Sequence, residues 1–407
     1  MQGLSWCNRQ TLQGTTWDDV QCRVSTPLRA AIDKVLTSLD GGVLSREECL
    51  LLAHADGDDL FGMVVAANEL RQRLVGDVVS YVVTRNINFT NVCFVGCKFC
   101  AFSVGPRDET AYFLSLDEMA HKCREAEEWG ATEVCIQGGL PRNLPPFYYR
   151  DILRAVKSAT PKMHAHAFSP MEMVYGVELT GMPIRDYLLM LKENGLDTLP
   201  GTAAEILDDS VRHVLSRNKL STAQWCEVIE TAHQCGIRST STMMYGHSET
   251  PEHWVNQMLL LRQIQSRTGG FTEFVPLGFI HDNTLLFAQG LSRQGGTVVE
   301  HAKVHALARL LLAGSMNHIQ VSWVKLGREL SQLALMAGAD DYGGTLFEEN
   351  ISRLAGATAG QYTSVAEFQE RILELGRVPA QRNTVYTQYT YPAPGTPVEP
   401  VAAGGNA

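Results

Sequence analysis

Between Val78 and Gly344, short β-rich runs alternate with helical stretches, and this alternation most constrains what the chain can fold into. Eight runs qualify: Val78–Asn88, Glu133–Gln137, Met163–Phe168, Leu196–Thr198, Ile237–Met244, Thr272–Pro276, Ile319–Trp323 and Asp340–Gly344. Strands separated by helices build a parallel sheet, because a parallel neighbour is reached only through a crossover. Eight such units close a (β/α)8 barrel, and a span of roughly 300 residues is of the size that barrel takes. The expected fold is therefore α/β, a TIM-like (β/α)8 barrel over residues 78–378.

Ahead of the barrel, "LRAAIDKVLTSL", "REECLLLAH" and "DLFGMVVAANELRQRLV" carry apolar residues at helical spacing, and Ser45 with Glu48 predicts a capping box. Residues 1–77 are thus expected to be an N-terminal helical extension, loose over its first 24 or so residues, where no period is visible. The Pro/Gly/Ala-rich end predicts a disordered tail over residues 379–407.

Alternate residues of a barrel strand face the lumen and the outer helices. In "MHAHAF", His164 and His166 share one face; in "EVCIQ", Glu133, Cys135 and Gln137 do; in "HIQVSW", His318, Gln320 and Ser322 do. Barrel interiors are usually filled by branched apolar side chains. A polar face here predicts a lumen that holds a polar ligand, the alternative being a half-exposed sheet with ordinary alternation.

The stretch "NINFTNVCFVGCKFCAF" sets Cys93, Cys97 and Cys100 in the loop after the first strand. Thiolates suit zinc or iron–sulfur clusters. Zinc wants a fourth ligand, and no second C-x2-C run supplies one. A redox pair at Cys97 and Cys100 leaves Cys93 without a role, and a loop after a strand gives packing cysteines little to gain. A cubane on three cysteines leaves one iron open. The remaining cysteines are scattered, as expected for a reducing cytoplasm; Cys123, Cys135, Cys226 and Cys235 read as packing residues.

Composition narrows the partners. With 45% hydrophobic and 19% charged residues the chain can bury a large core, and a net charge of −10 argues against nucleic acid. No run of about eighteen apolar residues predicts a membrane span, and no basic region followed by an apolar run predicts a signal peptide.

The C-x3-C-x2-C motif after a first strand, with Phe99 before the last cysteine, resembles the radical S-adenosylmethionine (radical SAM) superfamily. The resemblance implies a 4Fe-4S cluster on Cys93, Cys97 and Cys100, with SAM chelating the open iron and yielding a 5′-deoxyadenosyl radical. It extends through "MHAHAFSP", "DTLPGTAAEILDDSVR", "TSTMMYGHSETPEHW", "TEFVPLGFIHDN", "IQVSWVKLG" and "GGTLFEENISRLAG", which are similar to the CofH group; Gly278 stands where that group's pattern suggests proline. In that group L-tyrosine is fragmented and its 4-hydroxybenzyl group joined to 5-amino-6-(D-ribitylamino)uracil, on the way to the deazaflavin chromophore FO.

The resemblance and the polar strand faces together nominate site residues. His164, His166, Tyr245 and His247 are the catalytic candidates. Phe99, Gln137, Gly138, Gly139 and Glu249 are cofactor-binding candidates, although Glu249 would equally serve as a helix N-terminal charge before Pro251. Gln320, Ser322 and Glu273 are the substrate-binding candidates. A single cysteine motif implies a CofG-like partner enzyme, and cluster chemistry implies an electron donor. The competing readings are a menaquinone-pathway radical SAM enzyme acting on a futalosine derivative and a non-catalytic iron–sulfur protein.

Overall fold

The computed structural model describes residues 9–392. Its strands are β1 (Val78–Val82), β2 (Thr84–Ile87), β3 (Glu133–Ile136), β4 (His164–Ala167), β5 (Thr198–Leu199), β6 (Arg238–Tyr245), β7 (Phe271–Gly278), β8 (Asp341–Gly344), β9 (Val378–Arg382) and β10 (Tyr389–Thr390). Strands β2 to β7 form a parallel sheet in sequence order. β1 pairs in parallel with β8 and runs through Val83 into β2. Between β7 and β8 the ring is completed by two parallel bridges, Phe274–Ile319 and Gln320–Asp341. Eight positions therefore close the barrel.

Two expected strands are shorter than the sequence suggests. The fourth is only Thr198–Leu199. The seventh is reduced to the bridges at Ile319 and Gln320, because Trp323 already opens the helix Trp323–Met336 and its indole N–H donates to the Gly344 carbonyl at 2.8 Å. Ser322 is the cap residue of that helix, not a strand residue.

Five helices begin where a serine precedes Glu or Gln by three residues. Capping boxes at Ser45, Ser115, Ser169, Ser221 and Ser364 satisfy the first free N–H groups. The N-terminal helices Thr26–Ser38, Arg46–Ala53 and Gly57–Val75 bury Leu28, Leu52 and Met63 in one core with Leu307 and Leu311 of the barrel helix Val298–Leu312. The segment before them is packed rather than loose over residues 9–24. Leu12, Trp17, Val20 and Val24 are buried, and the Trp17 indole donates to Asp33 at 2.9 Å. A Cβ on Gly62 would stand 2.2 Å from the Val24 methyl, so this close approach needs glycine. Residues 1–8 lie outside the described residues.

The end of the chain departs furthest from expectation. Residues 378–390 are not a disordered tail: β9 pairs in parallel with β1, and β10 returns antiparallel to β9. The connection between them enters the N-terminal mouth of the barrel, where Arg382, Thr384 and Tyr386 reach Asp341, Glu133 and Glu273 on three different strands. Residues 393–407 lie outside the described residues.

Candidate active site

Barrel strands end at loops on their C-terminal side, and these loops surround a cavity of about 260 Å³. The cysteine loop forms one wall. Its backbone is tied to three neighbours: Phe94 N–H donates to Leu140 at 3.0 Å, Lys98 N–H to Leu215 at 2.9 Å, and Cys93 N–H to Val104 at 3.1 Å. Gly96, at φ +69°, makes the left-handed turn between Cys93 and Cys97. Cys93, Cys97 and Cys100 are half-buried, free of disulfides, and all on the cavity wall. Burial raises the Cys93 thiol and pushes Cys97 up to about 11, while the Lys219 ammonium pulls Cys97 back.

The loop after β3 meets the cysteine loop at van der Waals limits. A Cβ on Gly139 would lie 2.2 Å from the Val92 carbonyl, and one on Gly138 would lie 2.6 Å from the Phe89 ring. Both positions therefore require glycine. Gly138 N–H donates to Glu172 Oε1 at 3.1 Å, while Glu172 Oε2 accepts from the Ser169 N–H at 2.6 Å and hydroxyl at 2.7 Å. Burial still pushes the Glu172 carboxyl up to about 7. Gln137 Oε1 accepts from the Thr202 hydroxyl at 3.1 Å. Lys219 pairs with Glu205 at 2.6 Å and lies 5.0 Å over the Phe99 ring. Lys325 donates to the Ser352 hydroxyl at 2.7 Å. Leu277, Ile280, Met171, Ile351 and Ala355 supply the apolar part of the wall.

Of the residues nominated from sequence, the structure brings seven to this cavity: the three cysteines, Phe99, Gln137, Gly138 and Gly139. The others lie elsewhere. His164 Nε2 and His166 Nδ1 each stand 2.8 Å from the Thr198 hydroxyl, and burial pushes His166 down to about 4. Glu273 accepts from Arg382 at 3.3 Å and from the Tyr386 hydroxyl, and Gln320 lies against the same carboxylate. The Glu133 and Glu273 carboxylates on these faces are taken by the chain's own end, which sequence periodicity cannot reveal. Tyr245 bonds His301 at 2.7 Å. His247 bonds the Met244 carbonyl at 2.9 Å, and Glu249 is buried among the N–H groups of Gly246 and His247, the Trp254 indole and Arg293. Ser322 caps a helix.

Ser169, Glu172, Thr202, Glu205, Lys219, Lys325 and Ser352 are cavity residues that the sequence reading missed. Ser169 and Glu172 carried a signal, a capping box directly after a barrel strand and so at the reactive mouth.

Among the described residues no set of three or more His, Cys, Asp or Glu side chains is placed to hold a single metal ion. Three thiols on one cavity wall suit a cubane, which takes each thiolate on a different iron, whereas zinc gathers four ligands around one centre. Glycine at 138 and 139 lets the loop after β3 lie directly against Phe89 and Val92, just ahead of the cysteines.

Family models agree with this geometry. Residues 87–261 match the Radical SAM superfamily, and residues 268–395 match the CofH/MqnC C-terminal region. The chain is 48% identical over 346 residues to the 5-amino-6-(D-ribitylamino)uracil–L-tyrosine 4-hydroxyphenyl transferase of Methanocaldococcus jannaschii, covering 84% of this chain and 96% of that protein. It is 50% identical over 379 residues to the FO synthase of Mycobacterium leprae, covering 91% of this chain and 44% of that protein. The chain thus spans less than half the length of the FO synthases it matches. Among solved structures, the hydrogenase maturase HydG from Carboxydothermus hydrogenoformans aligns with a TM-score of 0.68 at 15% identity, covering 91% of this chain and 84% of that one. Methylornithine synthase (PylB) aligns at 0.64 and 18%, covering 86% and 97%. At such identities these two show the fold alone. No helix among the described residues is long and apolar enough to cross a membrane.

Proposed function

The chain belongs to the radical SAM superfamily and to the family of the 5-amino-6-(D-ribitylamino)uracil–L-tyrosine 4-hydroxyphenyl transferases, and on that premise we propose that it transfers the 4-hydroxybenzyl group of L-tyrosine to the diaminouracil. Its place is then in FO formation, upstream of a CofG-like ring-closing enzyme and supplied by a one-electron donor. The observation that carries this reading is the identity of 48% across nearly the whole length of a transferase of that name.

Cys93, Cys97 and Cys100 would hold a 4Fe-4S cluster, which with SAM would supply the hydrogen-abstracting radical. The chain's own residues position and shield. Phe99 closes the cysteine loop against Lys219, which is held by Glu205. Gly138 and Gly139 bring the backbone after β3 against the cysteine loop, and Gln137 stands beside them on the cavity wall. Glu172, with its carboxyl near 7 and fixed by three N–H or O–H donors, is able to hold or release a proton at neutral pH. Leu277, Ile280, Met171 and Ile351 exclude water from the space a radical would cross.

The test is SAM cleavage by the anaerobically reconstituted, reduced protein. L-Tyrosine should raise 5′-deoxyadenosine release above the uncoupled rate. Stimulation by a futalosine derivative, with none by tyrosine, would move the protein to the menaquinone branch that shares its C-terminal region model.

A further inference from the structure

Two cations reach the cavity wall, and they differ in what holds them. Lys219 is matched by Glu205 at 2.6 Å. Lys325 has no carboxylate within ion-pair distance among the described residues; its hydrogen bond there is to Ser352 Oγ at 2.7 Å. An ammonium carries three N–H donors, so two remain for whatever fills the cavity. Ser352 is itself fixed, since its backbone N–H donates to both Glu349 carboxylate oxygens at 3.0 Å. Its hydroxyl is thus held in place to receive Lys325.

An ammonium turned partly out of water without a close counter-ion is costly. Burial accordingly lowers the Lys325 pKa, and the Glu349 charge beyond Ser352 pulls it back toward the charged form. Such a group is retained at a cavity wall when an anion from a ligand completes it. The cavity's carboxylates are Glu205, already paired, and Glu172, already saturated by Gly138 and Ser169. Leu277, Ile280, Ile351 and Ala355 supply apolar wall to the same cavity. A single cationic donor set in an apolar wall suits a small molecule with one carboxylate and an apolar or aromatic body.

We propose that Lys325, positioned by Ser352, binds the α-carboxylate of the amino-acid substrate and so fixes which end of that substrate faces the cysteine triad. The assignment rests on the tyrosine reading above and deepens it. It concerns the wall formed by the seventh and eighth barrel positions, away from the β3 loop that adjoins the cysteines.

Binding decides the matter without turnover. The full chain, loaded with its cluster in the oxidised state and saturated with SAM, is titrated calorimetrically with L-tyrosine and with tyramine, which lacks the carboxylate. Wild-type protein should prefer tyrosine by about ten- to a hundredfold, the range for losing a hydrogen bond to a charged group. Lys325→Met should lose that preference by binding tyrosine as weakly as tyramine, Lys325→Arg should recover part of it, and SAM affinity should stay unchanged in both. Equal wild-type affinity for tyrosine and tyramine overturns the assignment whether or not the variants fold. Unchanged tyrosine affinity in Lys325→Met, or a loss confined to SAM, overturns it as well. A wild-type protein that takes neither ligand refutes the substrate reading itself, a result distinct from either of these.

Discussion

At the C-terminal mouth of the barrel the strands run into loops around an open cavity, while at the N-terminal mouth the chain fills the space with its own end. Below, Arg382 donates to Asp341 at 2.5 and 3.1 Å and to Glu273 at 3.3 Å, Thr384 donates to Glu133 at 2.6 Å, and Tyr386 stacks on His318 with ring centroids 3.9 Å apart. Above, Lys325 and the three thiols line the cavity without carboxylate or disulfide partners among the described residues. Both mouths are polar, and both draw on the same alternation along the strands. What fills each mouth, rather than the polarity of its residues, separates the two: the chain's own end below, a cavity above.

The largest expected effect is at the upper mouth. Cys93→Ala, Cys97→Ala or Cys100→Ala should each reduce reconstituted iron and bring turnover to background, with thermal unfolding of the metal-free protein little changed. Iron analysis and calorimetry on the same samples check this. The lower mouth should respond in the opposite way. Arg382→Met leaves Asp341 and Glu273 buried without their cation, a change worth about 3–5 kcal/mol of stability and readable by urea unfolding. Folded Arg382→Met at low temperature should still load its cluster. Failure to load would mean that the two mouths are coupled.

Acid sharpens the comparison further. Burial pushes His166, His233, His301 and His305 down to about 4, so the unfolded chain binds protons there that the folded chain refuses. Their contribution is fully present above about pH 6.5 and is lost as pH falls toward 4, at about 1.4 kcal/mol per pH unit for each. Glu172 and Glu273, both raised by burial, act with the opposite sign and offset about two of the four. Stability of the metal-free protein should therefore fall by on the order of 3 kcal/mol per unit below pH 6.5. Denaturant midpoints at pH 7.5 and 5.5 check the sign. The smallest effect is expected from His164→Ala and Gln320→Ala, which should change kcat/KM for tyrosine by no more than a few-fold, because neither side chain lines the cavity.

The sequence made the barrel and its cysteine triad legible because both are local signals: a loop motif of eight residues, and runs of alternating residues between helices. It placed Gly138 and Gly139 at the site for the same reason. It could not place His164, His166, Glu273 and Gln320 because the groups that hold them, Thr198, Arg382 and Tyr386 among them, lie 32 to 113 positions away or bind through a segment whose Pro- and Gly-rich surroundings look unstructured. Tyr245, His247 and Glu249 lie off the cavity wall for a related reason. They follow a strand toward the reactive mouth, but Glu249 gathers the N–H groups of its own turn and His247 turns back to the Met244 carbonyl. Lys325 stayed invisible because a lysine in the first turn of a helix carries no signal until the barrel folds around it.

The most direct measurement follows the atoms. Reduced protein is incubated anaerobically with SAM, ring-labelled L-tyrosine and 5-amino-6-(D-ribitylamino)uracil, and the products are resolved by mass. The account predicts ring label in a uracil adduct, matched by 5′-deoxyadenosine, with the tyrosine Cα leaving in a two-carbon fragment. Ring label found only in unreacted tyrosine, while a futalosine derivative drives SAM cleavage, would contradict it.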